Sequence, residues 1–406
     1  MTKAHDERPL PYPLRAPTVL QPPEPWAPLR ERCPVARVTL PSGDEAALLT
    51  RYDDVRAALS DPRLTREGMA RPDAARVSAG DSEGVFSSPM ARTLNAQGHE
   101  RWRRMVGRWF TARRMAALRP DMERIAERLV DDMTAEGAPA DLVSGLAFPL
   151  PVHVICRMLG VPHEDRDRFK VWSDTFLNTT RYSRHQTDTA HREFAAYMSG
   201  LIEAKRAQPG DDLLSLLMSG AEGTGAPMED EALVATGQAL LLAGHETTAG
   251  YIALMVAHLL SPRQRWERLL ADPSLIRLAV EESLRFDPNG ARFGMVRYVE
   301  EDAELSGGRL RAGTTVVCSM ASANRDERAW ERADEMALDR APNPHLAFGA
   351  GPHSCLGQPL ARTELQVALG VLLRRLPTLE LAVPVEDLRA QEGLLTAPLR
   401  ALPVTW

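Results

Sequence analysis

A chain of 406 residues with a formal net charge of −6, 44% apolar and 26% charged residues, is long enough to bury a large core, and its acidity argues against a nucleic-acid partner. Its four cysteines, Cys33, Cys156, Cys318 and Cys355, have neither paired metal-ligand spacing nor the density of a disulfide framework, which fits a reducing compartment. The N-terminus carries Asp6, Glu7 and Arg8 with no apolar signal core or anchor, so a cytoplasmic protein with no membrane partner is expected. Residues 1–30 then form a proline-rich stretch, read as an extended arm on a single domain spanning 1–406. Ala46–Thr50 is a short strand, and Asp53-Asp54 caps a helix that stops before Asp61-Pro62. Residues 66–97 mix Gly, Ser, Pro and Ala without periodicity, which predicts a long loop of the kind that often serves as a lid.

A helix is predicted from about Gly98. His99, Arg103, Val106 and Phe110 share one face, and two cationic side chains on an inward face require an anionic partner, for which a carboxylate of the chain is the plain candidate. Arg101, Arg104 and Arg108 form a basic stripe on another face. Helical patterns continue through Met122–Met133 and Val152–Leu159, then in two charged amphipathic helices within 163–207. A short helix is capped by Asp211-Asp212 and followed by the glycine-rich Ser219–Gly225. The apolar run Leu233–Leu260 is long enough for a membrane span. However, Gln238, His245, Glu246 and His258 interrupt it, which predicts a helix crossing the core instead.

At the middle of that run stands Ala243-Gly244-His245-Glu246-Thr247-Thr248. Gly and Thr weaken helices, and Thr can bond back to a carbonyl and bend the axis. Two readings follow: a tolerated defect with a solvent-facing Glu246, or a distortion beside a bound ligand, which Ala243 and Thr247 would face together, one turn apart. In the next helix Glu282 and Arg285 are three apart and could be a surface pair worth little. Residues 288–340 change to β-like runs, Met295–Tyr298 and Thr314–Ser319, with glycine turns at 306–308 and 312–314. No internal repeat and no clear interdomain linker appears.

Near the end lies Phe348-Gly349-Ala350-Gly351-Pro352-His353-Ser354-Cys355-Leu356-Gly357, followed by an apolar helical segment. A glycine loop at a helix N-terminus can aim N–H groups at one sulfur and favours thiolate, which makes Cys355 a metal ligand or a nucleophile. A buried inert cysteine is the plain alternative. It leaves Phe348, Gly351, His353 and Gly357 unexplained.

The pattern Phe-x-x-Gly-x-His-x-Cys-x-Gly resembles the haem-binding loop of the cytochrome P450 family, and three further motifs resemble that family in the same order, over about Leu49 to Trp406. The resemblance implies a mainly α fold with a small β-rich region, the haem-thiolate fold, with haem b as cofactor and Cys355 as the axial thiolate. Phe348, Gly349, His353 and Gly357 would line the cofactor loop. His99, Arg103, Arg297 and His353 are similar to the residues that hold the haem propionates. Ala243-Gly244-x-Glu246-Thr247 resembles the oxygen-activation motif. It implies that Ala243 and Gly244 lie against the cofactor, that Thr247 donates a hydrogen bond to bound dioxygen or a nearby water, and that Glu246 relays protons. Glu282-x-x-Arg285 resembles a buried structural pair completed by a later arginine. Arg340 takes that place, although Met336-Ala337-Leu338-Asp339-Arg340 stands where the family has Phe-Asp-x-x-Arg.

By the same resemblance the substrate pocket would include Val85, Phe86, Leu240, Ala291, Phe293, Leu394 and Leu395, positions that suit a lipophilic small molecule. The implied activity is that of a monomeric monooxygenase, plausibly of bacterial secondary metabolism, that hydroxylates, epoxidises or couples its substrate. O2 would be the co-substrate. Electrons would come from a separate ferredoxin and ferredoxin reductase, with NAD(P)H acting only through them. A peroxide-driven peroxygenase and a non-catalytic haem-thiolate sensor are the competing readings, and the pair Glu246-Thr247 argues against both.

Overall fold

The structure, a computed structural model, describes residues 8–78, 88–96, 98–220, 227–287, 293–306 and 308–406. Its described helices are α1 (Trp26–Arg32), α2 (Tyr52–Ser60), α3 (Pro89–Ala96), α4 (His99–Gly107), α5 (Ala112–Glu136), α6 (Pro149–Leu159) and α7 (Arg166–Phe176). They continue with α8 (Arg184–Ala207), α9 (Leu213–Ser219), α10 (Asp230–Leu260), α11 (Gln264–Ala271), α12 (Ile276–Phe286), α13 (Met320–Ala323) and α14 (Gln358–Arg375). The strands are β1 (Leu10–Pro11), β2 (Val35–Thr39), β3 (Glu45–Leu49), β4 (Leu64–Thr65), β5 (Ala140–Asp141), β6 (Met295–Val299), β7 (Ala303–Leu305), β8 (Gly308–Leu310), β9 (Thr315–Cys318), β10 (Glu380–Leu381) and β11 (Pro403–Thr405).

The helix α10 is apolar on every side, and such a helix is stable only when surrounded. By length and composition it could cross a membrane, but 78% of its most apolar window is buried inside the protein. It packs against α3, α6, α8 and α14. Asp230 and Glu231 in its first turn and His258 in its last complement the helix dipole. Local chemistry fixes other boundaries: Ser183 and Gln186 form a capping box at α8, and Asp212 accepts from the Ser215 N–H at the start of α9.

The main sheet runs β1-β2-β3-β9-β6-β4, with β6 antiparallel to both β9 and β4. Leu64 faces Val299 and Thr65 faces Tyr298 across the β4–β6 pair. The sheet carries two apolar clusters of its own, separate from the helical core around α10.

Three sequence expectations are corrected. The 1–30 arm is not extended throughout, because Trp26–Arg32 is helical and buries Trp26 and Leu29. Residues 66–97 are not structureless: Glu67–Ala70 is a 3-10 helix, and α3 places Met90 and Leu94, one turn apart, against the helical core. Residues 79–87 and 97 lie outside the described residues. Asp53 and Asp54 sit in the first turn of α2 rather than capping it. Asp54 instead accepts from the Ser306 N–H (2.9 Å) and hydroxyl (2.7 Å), tying α2 to the turn after β7.

Candidate functional site

The cysteine loop is folded by its own backbone. Cys355 N–H donates to Phe348 O at 2.8 Å, and Ser354 N–H donates to Gly351 O at 3.1 Å. Gly351 has φ +69°, and a Cβ there would lie 2.6 Å from Leu59 O, so only glycine lets the loop press against the end of α2. Arg103 on α4 clamps the loop, donating to Ser354 O (2.7 Å) and Oγ (3.1 Å). Arg362 on α14 covers the Phe348 ring at 4.5 Å and is held by Glu281 at 2.8 Å.

Cys355 is an accessible free thiol. Burial pushes its pKa up, while the Gly357 N–H and the charges of Arg103 and Arg362 pull it down. Desolvation wins, so the loop alone does not favour thiolate as the sequence suggested. A metal cation at the sulfur reverses that balance, because a coordinating thiol is deprotonated outright.

The middle of α10 carries the second half of the site. Leu241, Leu242, His245, Glu246 and Thr248 are buried, yet Ala243 is exposed and Gly244 and Thr247 are partly so. One face of an otherwise enclosed helix therefore keeps accessible surface, and it is the face that the one-turn spacing of Ala243 and Thr247 selects. A Cβ on Gly244 would stand 2.9 Å from Ile155, which is how α6 approaches so closely. The helix is uninterrupted across the motif, so the expected distortion is confined to a side chain: the Thr247 hydroxyl donates to Ala243 O at 3.0 Å. Its proton is thereby committed, and its lone pairs are left to accept.

Behind this face lies a buried polar group. His245 Nδ1 lies 2.6 Å from Leu241 O, which can only accept, so Nδ1 carries the proton and Nε2 accepts from Ser173 at 3.0 Å. Burial pushes His245 down to about 4, so it is neutral at pH 7. Glu246 is buried, not solvent-facing, and Oε2 has no hydrogen-bond partner among the described residues. Burial, and the charge of Asp174 on α7, push Glu246 up to about 7, opposed by Lys170. Asp174 meets the outside through Tyr182 (3.4 Å) and the half-exposed Arg181 (3.8 Å), while its Oδ1 is buried without a partner among the described residues.

A cationic cluster flanks the loop. The His99 and His353 rings lie 3.9 Å apart between centroids, tilted by 42°, and His353 Nδ1 is buried with no partner among the described residues. Burial and the charges of Arg66, His99, Arg297 and Arg103 push His353 down to about 3. Arg297 is buried and donates to Val296 O. Nothing in the sequence singles out Arg66, because a two-residue strand leaves no pattern to place it.

Arg66 and Cys355 both expose surface, yet both titrate as desolvated groups, Arg66 down to about 10. The two observations agree if the surface is enclosed by surrounding protein rather than facing outside.

The structure brings Glu282, Arg285 and Arg340 together. Arg285, 0% exposed, donates twice to Glu282 at 2.8 Å, and Arg340 Nε reaches Glu282 at 3.0 Å. The altered segment before Arg340 is tolerated because its contribution is backbone, the Ala337 N–H donating to Glu282 at 2.8 Å. Asp339 pairs with Arg268 instead.

Among the pocket positions, Leu240 lies one turn before Ala243 and Gly244 on α10. Phe293 is buried, its carbonyl accepting from the Tyr12 hydroxyl and its ring 5.1 Å from Tyr12. Leu394 bridges to Asn178, and the Leu395 N–H donates to Leu177 O at 2.8 Å, which brings both to the end of α7. Val85, Phe86 and Ala291 lie outside the described residues.

The donor set fits a flat, dianionic, iron-bearing ring. Sulfur is available for a metal, arginines without an ion pair among the described residues and an orphaned His353 nitrogen for carboxylates, and an accessible apolar helix face for the ring plane.

Comparison with known proteins gives the same answer. Residues 152–402 match the model of the family described as Cytochrome P450. The chain is 44% identical over 397 residues to nocardicin C N-oxygenase of Nocardia uniformis subsp. tsuyamanensis, covering 97% of this chain and 98% of that one. It is 45% identical over 379 residues to mycinamicin IV hydroxylase/epoxidase of Micromonospora griseorubida, covering 93% and 94%. The solved structure of the mixed-function P450 MycG superposes with a TM-score of 0.86 at 42% identity, over 98% of this chain and 100% of that one. The chain therefore belongs to the cytochrome P450 family and is a haem b monooxygenase that uses O2 to oxidise a small molecule, of the kind found in bacterial secondary metabolism.

Proposed function

We propose that Cys355 would ligate the haem iron, that His99, Arg103, Arg297 and His353 would hold its propionates, and that Ala243, Gly244 and Thr247 would line the pocket that takes it. The observation that carries this reading is the accessible Ala243–Thr247 face in a helix otherwise buried, together with the accessible Cys355. When bound, the haem supplies reductive O2 activation and oxygen insertion. The chain's own residues hold and deliver protons. Thr247, its hydrogen committed to Ala243 O, accepts from a water in the pocket and fixes its position. Glu246, titrating near neutrality, holds a proton behind that face, and Asp174 connects it to the half-exposed Arg181. Phe348, Gly349 and Gly357 shape the loop about the sulfur, and Glu282, Arg285 and Arg340 brace the segment before it.

Leu240, Phe293, Leu394 and Leu395 suit a lipophilic substrate. The relatives' named reactions, N-oxygenation in one and hydroxylation or epoxidation in another, differ, so substrate and regiochemistry follow from the pocket rather than from kinship. Electrons come from a ferredoxin and its reductase. Arg101 and Arg104 on α4 and Arg108 just after it are exposed, α4 being the helix whose Gly107 approaches Leu356 of the cysteine loop, and they form a basic surface to which an acidic carrier is steered. The protein acts as a soluble cytoplasmic monomer, with 1–406 as one catalytic unit.

The test is turnover with NADPH, ferredoxin and reductase on substrates selected by their shift of the haem spectrum, with labelled O2. One labelled oxygen atom in the product is expected. Product formed only from peroxide would favour the peroxygenase reading.

A further inference from the structure

Arg66 belongs to none of the motifs that mark the haem site, yet the sheet delivers it there. The strand β4 pairs antiparallel with β6, Leu64 facing Val299 and Thr65 facing Tyr298. One further step in that register sets Arg66 beside Arg297. The chain then turns sharply. Arg66 has φ −84° and ψ −35° and opens the 3-10 helix Glu67–Ala70. That turn is pinned: Gly68 N–H donates to Thr65 Oγ1 at 3.1 Å, and a Cβ on Gly68 would lie 2.7 Å from Tyr298. Arg66 thus sits just past the end of β4, close enough to Arg297 on β6 for the two like charges to repel.

No carboxylate resolves the conflict. Glu67 acts on both arginines from a distance, but neither forms an ion pair among the described residues, and Arg66 has no hydrogen-bond partner among them. Like charges this close, with Arg297 buried, call for an anion from outside the chain.

We propose that Arg66 is a further propionate-binding arginine, sharing with Arg297 one carboxylate of the haem. The assignment rests on the haem reading above. Together with Arg103 and Arg297 it places three guanidinium groups around two carboxylates. The excess positive charge favours the ferrous state, so Arg66 both retains the haem and raises its reduction potential.

The test uses the haem-loaded protein and two readouts apart from turnover: the rate of haem transfer to excess apomyoglobin, and the ferric/ferrous potential. In Arg66→Leu, haem release should be faster by on the order of tenfold, and the potential should move negative. Arg66→Lys, which keeps the charge but loses the fork, should hold the potential near the parent while releasing haem at an intermediate rate. Should Arg66→Leu fail to fold, Arg66→Gln is expected to give the same negative shift. Parental release and potential in Arg66→Leu would overturn the proposal, and so would faster release with an unmoved potential, since that marks a merely structural role. The haem reading is judged separately. A parent protein lacking a thiolate-type carbon monoxide spectrum would refute that reading, whereas a parent showing it beside an unaffected Arg66→Leu would refute only the role of Arg66.

Discussion

Glu246 has a sign that can be read against pH. Its folded value, about 7, lies above the ordinary 4.5 because burial and Asp174 disfavour its charge more than Lys170 favours it, while the neighbouring His245 is neutral there. Between those values the folded protein binds more protons than the unfolded chain, so this group's contribution to stability is lost as pH rises through about 7. The stability difference between Glu246→Gln and the parent should therefore shift in the variant's favour by roughly 3 kcal/mol from pH 4.5 to pH 7.5. Denaturant midpoints across that range measure it, and a constant difference would contradict the assignment. Thr247→Ala should keep haem content while less product forms per NADPH consumed. An unchanged ratio would remove Thr247 from the proton path. Both residues were legible in the sequence, because an acid and an alcohol in an apolar run stand out. Asp174 was not, since one acid in a charged amphipathic helix is indistinguishable from a solvated one until α7 is docked on α10. The direction of the Thr247 hydroxyl was likewise invisible, because it depends on a carbonyl one turn back.

The long elements were legible because their periodicity is long. The core-crossing α10, the amphipathic α7 and α8, and the helix after the cysteine loop all follow from apolar spacing and caps. Two-residue strands such as β4 carry no pattern, and α3 has only Met90 and Leu94 to show an apolar face. Close approach is likewise a property of two elements together. Gly244→Ala adds a methyl group 2.9 Å from Ile155. The gain in helix propensity of up to about 1 kcal/mol is outweighed by overpacking of roughly 1–3 kcal/mol. A lower melting temperature is expected for the haem-loaded variant, relieved by Ile155→Ala in the same chain. Purely additive losses would show that α6 and α10 are not in contact there. Glu282 is a sharper case, since Arg285, Arg340, the Ala337 N–H and Asn343 all converge on it. Glu282→Ala leaves a fully buried arginine without its carboxylate, for a loss of roughly 3–5 kcal/mol, measured by denaturation. A loss below 1 kcal/mol would mean that water replaces the pair.

For the molecule as a whole, an acidic chain presents a basic stripe on the helix that touches the cysteine loop. Charge reversal in Arg104→Glu should slow reduction by ferredoxin at low salt, with the difference shrinking as salt screens it and substrate-binding spectra unchanged. Equal stopped-flow rates for variant and parent at low salt would remove the stripe from the docking surface. Every such expectation depends on one bond, between Cys355 and haem iron. The carbon monoxide difference spectrum of the reduced protein measures it directly. The intact chain should give the red-shifted band of a thiolate-ligated haem, and Cys355→Ala should lose that band; retention of the band in Cys355→Ala would contradict the assignment of the ligand.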